Sequence, residues 1–182
     1  MKSIFLKRVL NSKYTLIMLG LILVVCIKYY GDINKETKEF NFVLNYGVAE
    51  NKRPKNIVNT INDTLVLDLV DNGTKKVKLN FTEEEMKQIE KFIIDNKVME
   101  LPSKITYETK TDIGRVKSYL TIYIGGVKKD FEWMTMGFSK DYTTDMKNAV
   151  VTLNELEQKI LNILENKDGY RELMKQRKGG YL

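Results

Sequence analysis

Residues 115–133 read Arg-Val-Lys-Ser-Tyr-Leu-Thr-Ile-Tyr-Ile-Gly-Gly-Val-Lys-Lys-Asp-Phe-Glu-Trp, and their parity decides the fold. Val116, Leu120, Ile122 and Ile124 fall on one side of an extended chain. Lys117, Tyr119, Thr121 and Tyr123 fall on the other, which is the period of a half-buried strand. Gly125-Gly126 supply the positive-φ positions of a two-residue hairpin turn, and Val127 to Trp133 returns. That loop length opposes Ile124 to Val127, Ile122 to Lys129, Leu120 to Phe131 and Ser118 to Trp133. Phe131 and Trp133 therefore join the apolar face. Lys129 is the misfit on that face, close enough to the hairpin tip to reach water. A hairpin with one greasy face needs a cover, so the class expected is α+β, with an antiparallel sheet packed on helices.

The preceding segments extend that sheet. Phe40, Phe42, Leu44 and Tyr46 alternate with Asn41, Val43 and Asn45, and Gly47 ends the strand. Residues 56–61 alternate weakly. Leu65, Leu67 and Leu69 share one face of 64–70, and Val77, Leu79 and Phe81 share one face of 75–81. Asp71-Asn72-Gly73 lies between these two runs. A two-residue loop there would set lysines against leucines, whereas a three-residue loop opposes Leu67 to Val77 and Leu65 to Leu79. The three-residue loop is the one expected, with Gly73 in the left-handed position. Asp68, Asp71 and Asn72 do not amount to a calcium loop, because the remaining ligands and the closing Glu are missing.

Two helices are expected. Thr82-Glu83-Glu84-Glu85 is a capping box that opens a helix over 82–98, whose three acids suit the positive end of the helix dipole. Met86, Ile89, Phe92 and Ile93 recur at helical spacing. Leu101-Pro102 stops the segment, and 105–114 reads as a polar loop. Met134 to Phe138 continues the apolar character as core closing over a sheet edge. Residues 141–166 carry Met146, Ala149, Val150, Leu153, Leu156, Ile160, Ile163 and Leu164 at threes and fours. A seam of under four heptads suits packing on the sheet better than a coiled coil. The prediction is thus a sheet of about five strands against two helices over residues 40–166, with a basic, flexible tail over 167–182.

Ahead of this domain lies a different solvent regime. Tyr14 to Ile27 is the longest run without a charge, bracketed by Lys13 and Lys28. Its 14 residues make about 21 Å of helix at ~1.5 Å per residue, against a bilayer core of ~30 Å. Tyr29 and Tyr30 suit the headgroup level, and both lysines can snorkel, so 14–30 is expected to cross a thin bilayer as one N-terminal transmembrane helix. Lys2, Lys7, Arg8 and Lys13 precede the run without an acid. That places residues 1–13 in the cytoplasm and the C-terminal domain outside, at the cell membrane. Residues 31–39 form a stalk of roughly 30 Å at most. Three fates of the run compete. A cleaved signal peptide would need small residues where Val, Cys, Ile and Tyr stand. Leu23-Val24-Val25-Cys26 resembles a lipobox, which makes Cys26 a candidate lipid-attachment residue, although Val25 stands where Gly, Ala or Ser is usual. An uncleaved signal anchor is the expectation adopted.

Composition removes several functions. The chain of 182 residues has a net charge of +6, but five cations and no acid fall within residues 1–30. The remainder holds 25 cations against 24 acids, so the basic balance belongs to the anchor and argues against nucleic-acid binding. There is no histidine, and Cys26 is the single cysteine. Intramolecular disulfides, the usual triads and most zinc and haem sites are excluded with them. No catalytic, cofactor-binding or metal-ligating set emerges, and an enzyme is not expected.

The basic anchor, Phe-Asn-Phe-Val-Leu-Asn-Tyr-Gly at 40–47, Leu-Asn-Phe-Thr-Glu-Glu-Glu at 79–85 and Gly-Gly-Tyr-Leu at 179–182 occur together. In this the chain resembles a set of membrane-anchored or lipoprotein-like proteins of Gram-positive bacteria. The resemblance implies a location and no activity. The function expected is a cell-surface binding or interaction module, held to membrane lipid through 14–30 and engaging a protein or cell-envelope ligand. The alternatives are an accessory subunit of a membrane protein complex, contacting its partner through the last long helix or the span, and a carboxylate-dependent cell-wall hydrolase.

Overall fold

Seven strands and three helices follow one another as β1 Asn41–Tyr46, β2 Asn56–Asn59, β3 Thr64–Asp68, β4 Thr74–Lys78, α1 Glu83–Asp95, β5 Lys104–Ile105, β6 Lys117–Ile124, β7 Val127–Met134, α2 Thr144–Glu165 and α3 Asp168–Met174. A 3-10 turn, Val98–Glu100, follows α1. This is a computed structural model, and it describes residues 40–47, 54–106, 116–135 and 142–179. The span 14–30, the stalk and Cys26 lie outside the described residues. Among the described residues no helix is long and apolar enough to cross a membrane.

The class is α+β, as expected, but the sheet is larger and mixed. Its order is β4-β3-β2-β1-β6-β7-β5, antiparallel except for the parallel pair β5–β7. Seven strands replace the expected five or so because the weakly alternating run at 56–61 does pair, as β2, and Lys104–Ile105 pairs with Glu132 and Trp133 at the edge, where the chain enters a stretch that reads as loop. Two residues are too few to show a period. The expected tail likewise holds α3, the third helix. Its seven residues bury only Leu173, so no amphipathic pattern marks them.

Burial alternates along the central strands and sorts the two faces. Phe42, Leu44, Leu120, Ile122, Phe131 and Trp133 are buried and share one core with Ile89 and Ile93 of α1. Ala149, Val150, Leu153, Leu156, Ile160 and Leu164 of α2 close over it. Each fully buried apolar side chain of this kind contributes about 1.5–3 kcal/mol against exposure. The α2 seam is therefore packed inside the domain rather than left as a coiled-coil face.

Local chemistry fixes the ends. Thr82 Oγ1 accepts from the Glu85 N–H at 3.3 Å, and Glu85 Oε2 accepts from the Thr82 N–H at 2.7 Å, the reciprocal box expected from the sequence. The same Glu85 oxygen meets Lys167 Nζ at 2.6 Å, which ties the start of α1 to the entry of α3. Thr143 caps α2 by accepting from the Met146 N–H. Trp133 Nε1 donates to Asn154 Oδ1 at 2.9 Å, so the indole is buried without losing its hydrogen bond.

The β6–β7 register is the one read from the Gly-Gly turn, from Ile124 opposite Val127 to Ser118 opposite Trp133. Lys129 behaves differently from the expectation. It donates to the carbonyls of Met99 at 2.7 Å and Leu101 at 2.6 Å and lies 5.2 Å from the Phe131 ring centre, so it serves the turn after α1 rather than water. The β3–β4 hairpin also needs correction. Leu65 opposes Val77 and Leu67 opposes Lys75, two residues away from the predicted pairing. A slip of two keeps the leucines on the core face, which is why parity alone could not exclude it. The longer loop turns through Val70 and Gly73, both at positive φ.

Candidate functional site

The face of the sheet opposite the core is polar and set out in rows. Along one row the strand register runs Lys78, Thr64, Asn59, Val43, Thr121 and Asp130. The next runs Lys76, Val66, Ile57, Asn45, Tyr119, Glu132 and Lys104, and so crosses all seven strands. At about 4.8 Å per strand that row is roughly 29 Å long. Asn41, Val43, Asn45, Tyr119, Thr121 and Tyr123 are all half-buried, so their side chains are held while one side stays accessible.

Two ion pairs lie on this face. Lys117 Nζ lies 3.1 Å from Glu132 Oε1, and Lys128 Nζ lies 3.0 Å from Asp130 Oδ2. Thr121 Oγ1 donates to Asp130 Oδ1 at 2.7 Å. Between β1, β6, β7 and the start of β5 the face dips into a notch of about 270 Å³, lined by residues that include Asn45, Ser103, Lys104, Tyr119, Thr121, Asp130 and Glu132. The Glu132 N–H donates to the Ser103 carbonyl at 2.8 Å, which fixes the wall of the notch to its floor. A larger hollow of about 510 Å³ runs between α1 and α2, where Phe92 and Ile163 sit among amides such as Gln88, Gln158 and Asn162. Gln158 Nε2 there donates to Asn162 Oδ1 at 2.8 Å, so the amides already serve each other.

A second polar group of residues is internal. Tyr46 and Ser118 point from the sheet into the core, and Glu157 comes from α2. Tyr46 Oη, Ser118 Oγ and Glu157 Oε2 are buried there, with Ser118 against Glu157 and Tyr170 against Tyr46. Burial pushes the Glu157 carboxyl up to about 7 from an ordinary 4.5, and Ser118 only partly offsets this. Burial also raises the Tyr46 phenol, with Tyr170 and Glu157 adding to the effect. At the end of β3, buried Asp68 pairs with Lys55 at 3.1 Å and accepts from the Val70 N–H at 3.0 Å. This is an ion pair closing a turn, and among the described residues no group of three metal-ligating side chains occurs.

These positions bear on the carboxylate hydrolase. Such an enzyme needs two acids facing each other across a cleft, one with a raised pKa. Glu157 is packed between sheet and helix. Asp130 and Glu132 are neighbours on one face of one strand, each paired with a lysine. Glu83, Glu84 and Glu85 open α1, where Glu85 is held down: burial pushes it up, but hydrogen bonds from Lys167 and Thr82 and the Lys167 charge outweigh that. Leu156 and Ile160, the seam for a partner subunit, are fully buried within the domain. Cys26 lies outside the described residues.

Sequence reading placed Tyr119, Thr121 and Tyr123 on the polar side of β6 but missed the association of Tyr119 and Thr121 with Asn45, Ser103 and Lys104. The pairing of β1 with β6 is the missing fact, and local parity carries no trace of which distant strands pair. No protein-family model matches the chain, and no curated protein matches it either.

Proposed function

We propose that the protein is a membrane-tethered extracytoplasmic binding module. Residues 14–30 cross the membrane once with 1–13 in the cytoplasm, and the outer face of the sheet takes a protein or cell-envelope ligand. What carries the reading is that outer face: half-buried Tyr, Asn and Thr side chains in register across the strands, beside two ion pairs. Tyrosine supplies rigid contact area at low entropic cost, and Asn and Thr supply adaptable hydrogen bonds, the combination that binding surfaces favour. The tether rests on the uncharged run 14–27 and its cationic flank.

The test uses the full chain in detergent micelles, mixed with fragments of a Gram-positive cell envelope and sedimented. The wild type is expected to sediment with the fragments. The double variant Asn45→Ala, Tyr119→Ala is expected to stay in solution while melting at a similar temperature. Equal sedimentation of both, or of neither, would overturn the proposal.

A further inference from the structure

Resting on the outer face as the ligand platform, we infer that the notch beside Asn45, Tyr119 and Asp130 binds one uncharged sugar ring of a glycan. Size is the first reason. At about 270 Å³ the notch falls just under the roughly 300–1,000 Å³ of pockets that enclose whole drug-like ligands, so it suits a single ring of a larger chain. The open rows of the sheet leave room for that chain to continue.

Chemistry is the second reason. A sugar ring presents hydroxyls around its rim and C–H groups on its faces. Recognising it takes acceptors and donors together with an aromatic surface. The notch has carboxylates at Asp130 and Glu132 as acceptors, the Asn45 amide as donor and acceptor, Lys104 as donor and the Tyr119 ring as surface. Groups of such different kinds converge from β1, β5, β6 and β7, and none of these strands could supply them alone.

Charge is the third reason, because it argues against a bare cation. A cation finds each of those carboxylates already facing a lysine, at 3.1 Å for Glu132 and 3.0 Å for Asp130. An apolar peptide side chain would desolvate these groups without replacing their hydrogen bonds. A hydroxyl can accept from the lysines and donate to the acids without separating the pairs.

The test uses the full chain in detergent micelles on an array of neutral, anionic and cationic oligosaccharides, next to the envelope sedimentation. At least one neutral oligosaccharide is expected to bind. Asn45→Ala and Asp130→Asn are each expected to weaken it about tenfold, the loss of a single good hydrogen bond. Lys87→Ala, on the exposed side of α1, is expected to leave it unchanged. Binding restricted to charged oligosaccharides overturns the inference, as does a weakening by Lys87→Ala equal to that by Asn45→Ala. A silent array with envelope sedimentation still lost on Asn45→Ala, Tyr119→Ala also overturns it but leaves the binding module standing. A silent array without sedimentation removes both.

Discussion

Glu157 is the residue that works hardest against its surroundings. It sits on the helix that closes the core, and burial keeps its carboxyl protonated up to about pH 7. The unfolded chain releases that proton near 4.5, so between these values the folded chain binds more protons than the unfolded one. Stability from this group is therefore fully present below the lower value and is lost as pH rises through the upper one. The loss is on the order of 3 kcal/mol, from a pKa difference at 1.36 kcal/mol per unit. Urea midpoints at pH 5 and pH 8 should differ more for the wild type than for Glu157→Gln, which has no proton to lose. Equal differences would show that the carboxyl is wetter than its position implies. Asn154 makes the complementary case. Asn154→Ala strands the buried Trp133 N–H, and a loss of about 1–3 kcal/mol in urea unfolding is expected.

Among the elements, α2 and the two hairpins carry the most instruction. Leu156→Asp places a charge in the middle of the α2 core face, and destabilisation beyond about 4 kcal/mol is expected, read as loss of cooperative melting. A folded Leu156→Asp chain would instead mean that this seam faces outward. At the start of α1, Thr82→Ala removes one half of the capping box and should cost about 1 kcal/mol in thermal unfolding. These elements were legible from sequence because each has a strong local signal: helical spacing, a reciprocal cap, or a Gly-Gly turn whose length fixes β6 against β7. The β3–β4 register was half legible. Leu65, Leu67 and Leu69 named the face, but any even slip of the partner preserves it, and only the turn through Val70 and Gly73 selects the pairing. β5 was illegible because two residues span a single strand period with no repeat, and α3 because its seven residues bury only Leu173 and so draw no apolar stripe.

For the whole molecule, the informative step is the strand order. It sets β1 between β2 and β6, so Asn45 reaches Tyr119, and it sets β5 against β7, so Lys104 reaches Glu132. No periodicity in the chain states those neighbours, and the candidate site exists only through them. One side of the sheet is given to the core, and the other holds a ruled polar surface with two ion pairs. In the proposal above, the uncharged run 14–27 with its cationic flank is the tether that lets this surface meet a ligand outside the cell. Labelling intact cells tests tether and surface together. In a chain carrying Cys26→Ser and Lys128→Cys, the only thiol sits on the exposed outer face at β7. A membrane-impermeant maleimide is predicted to label it fully before the cells are lysed. Labelling that appears only after lysis would put the domain on the wrong side of the membrane and contradict the proposal at its root.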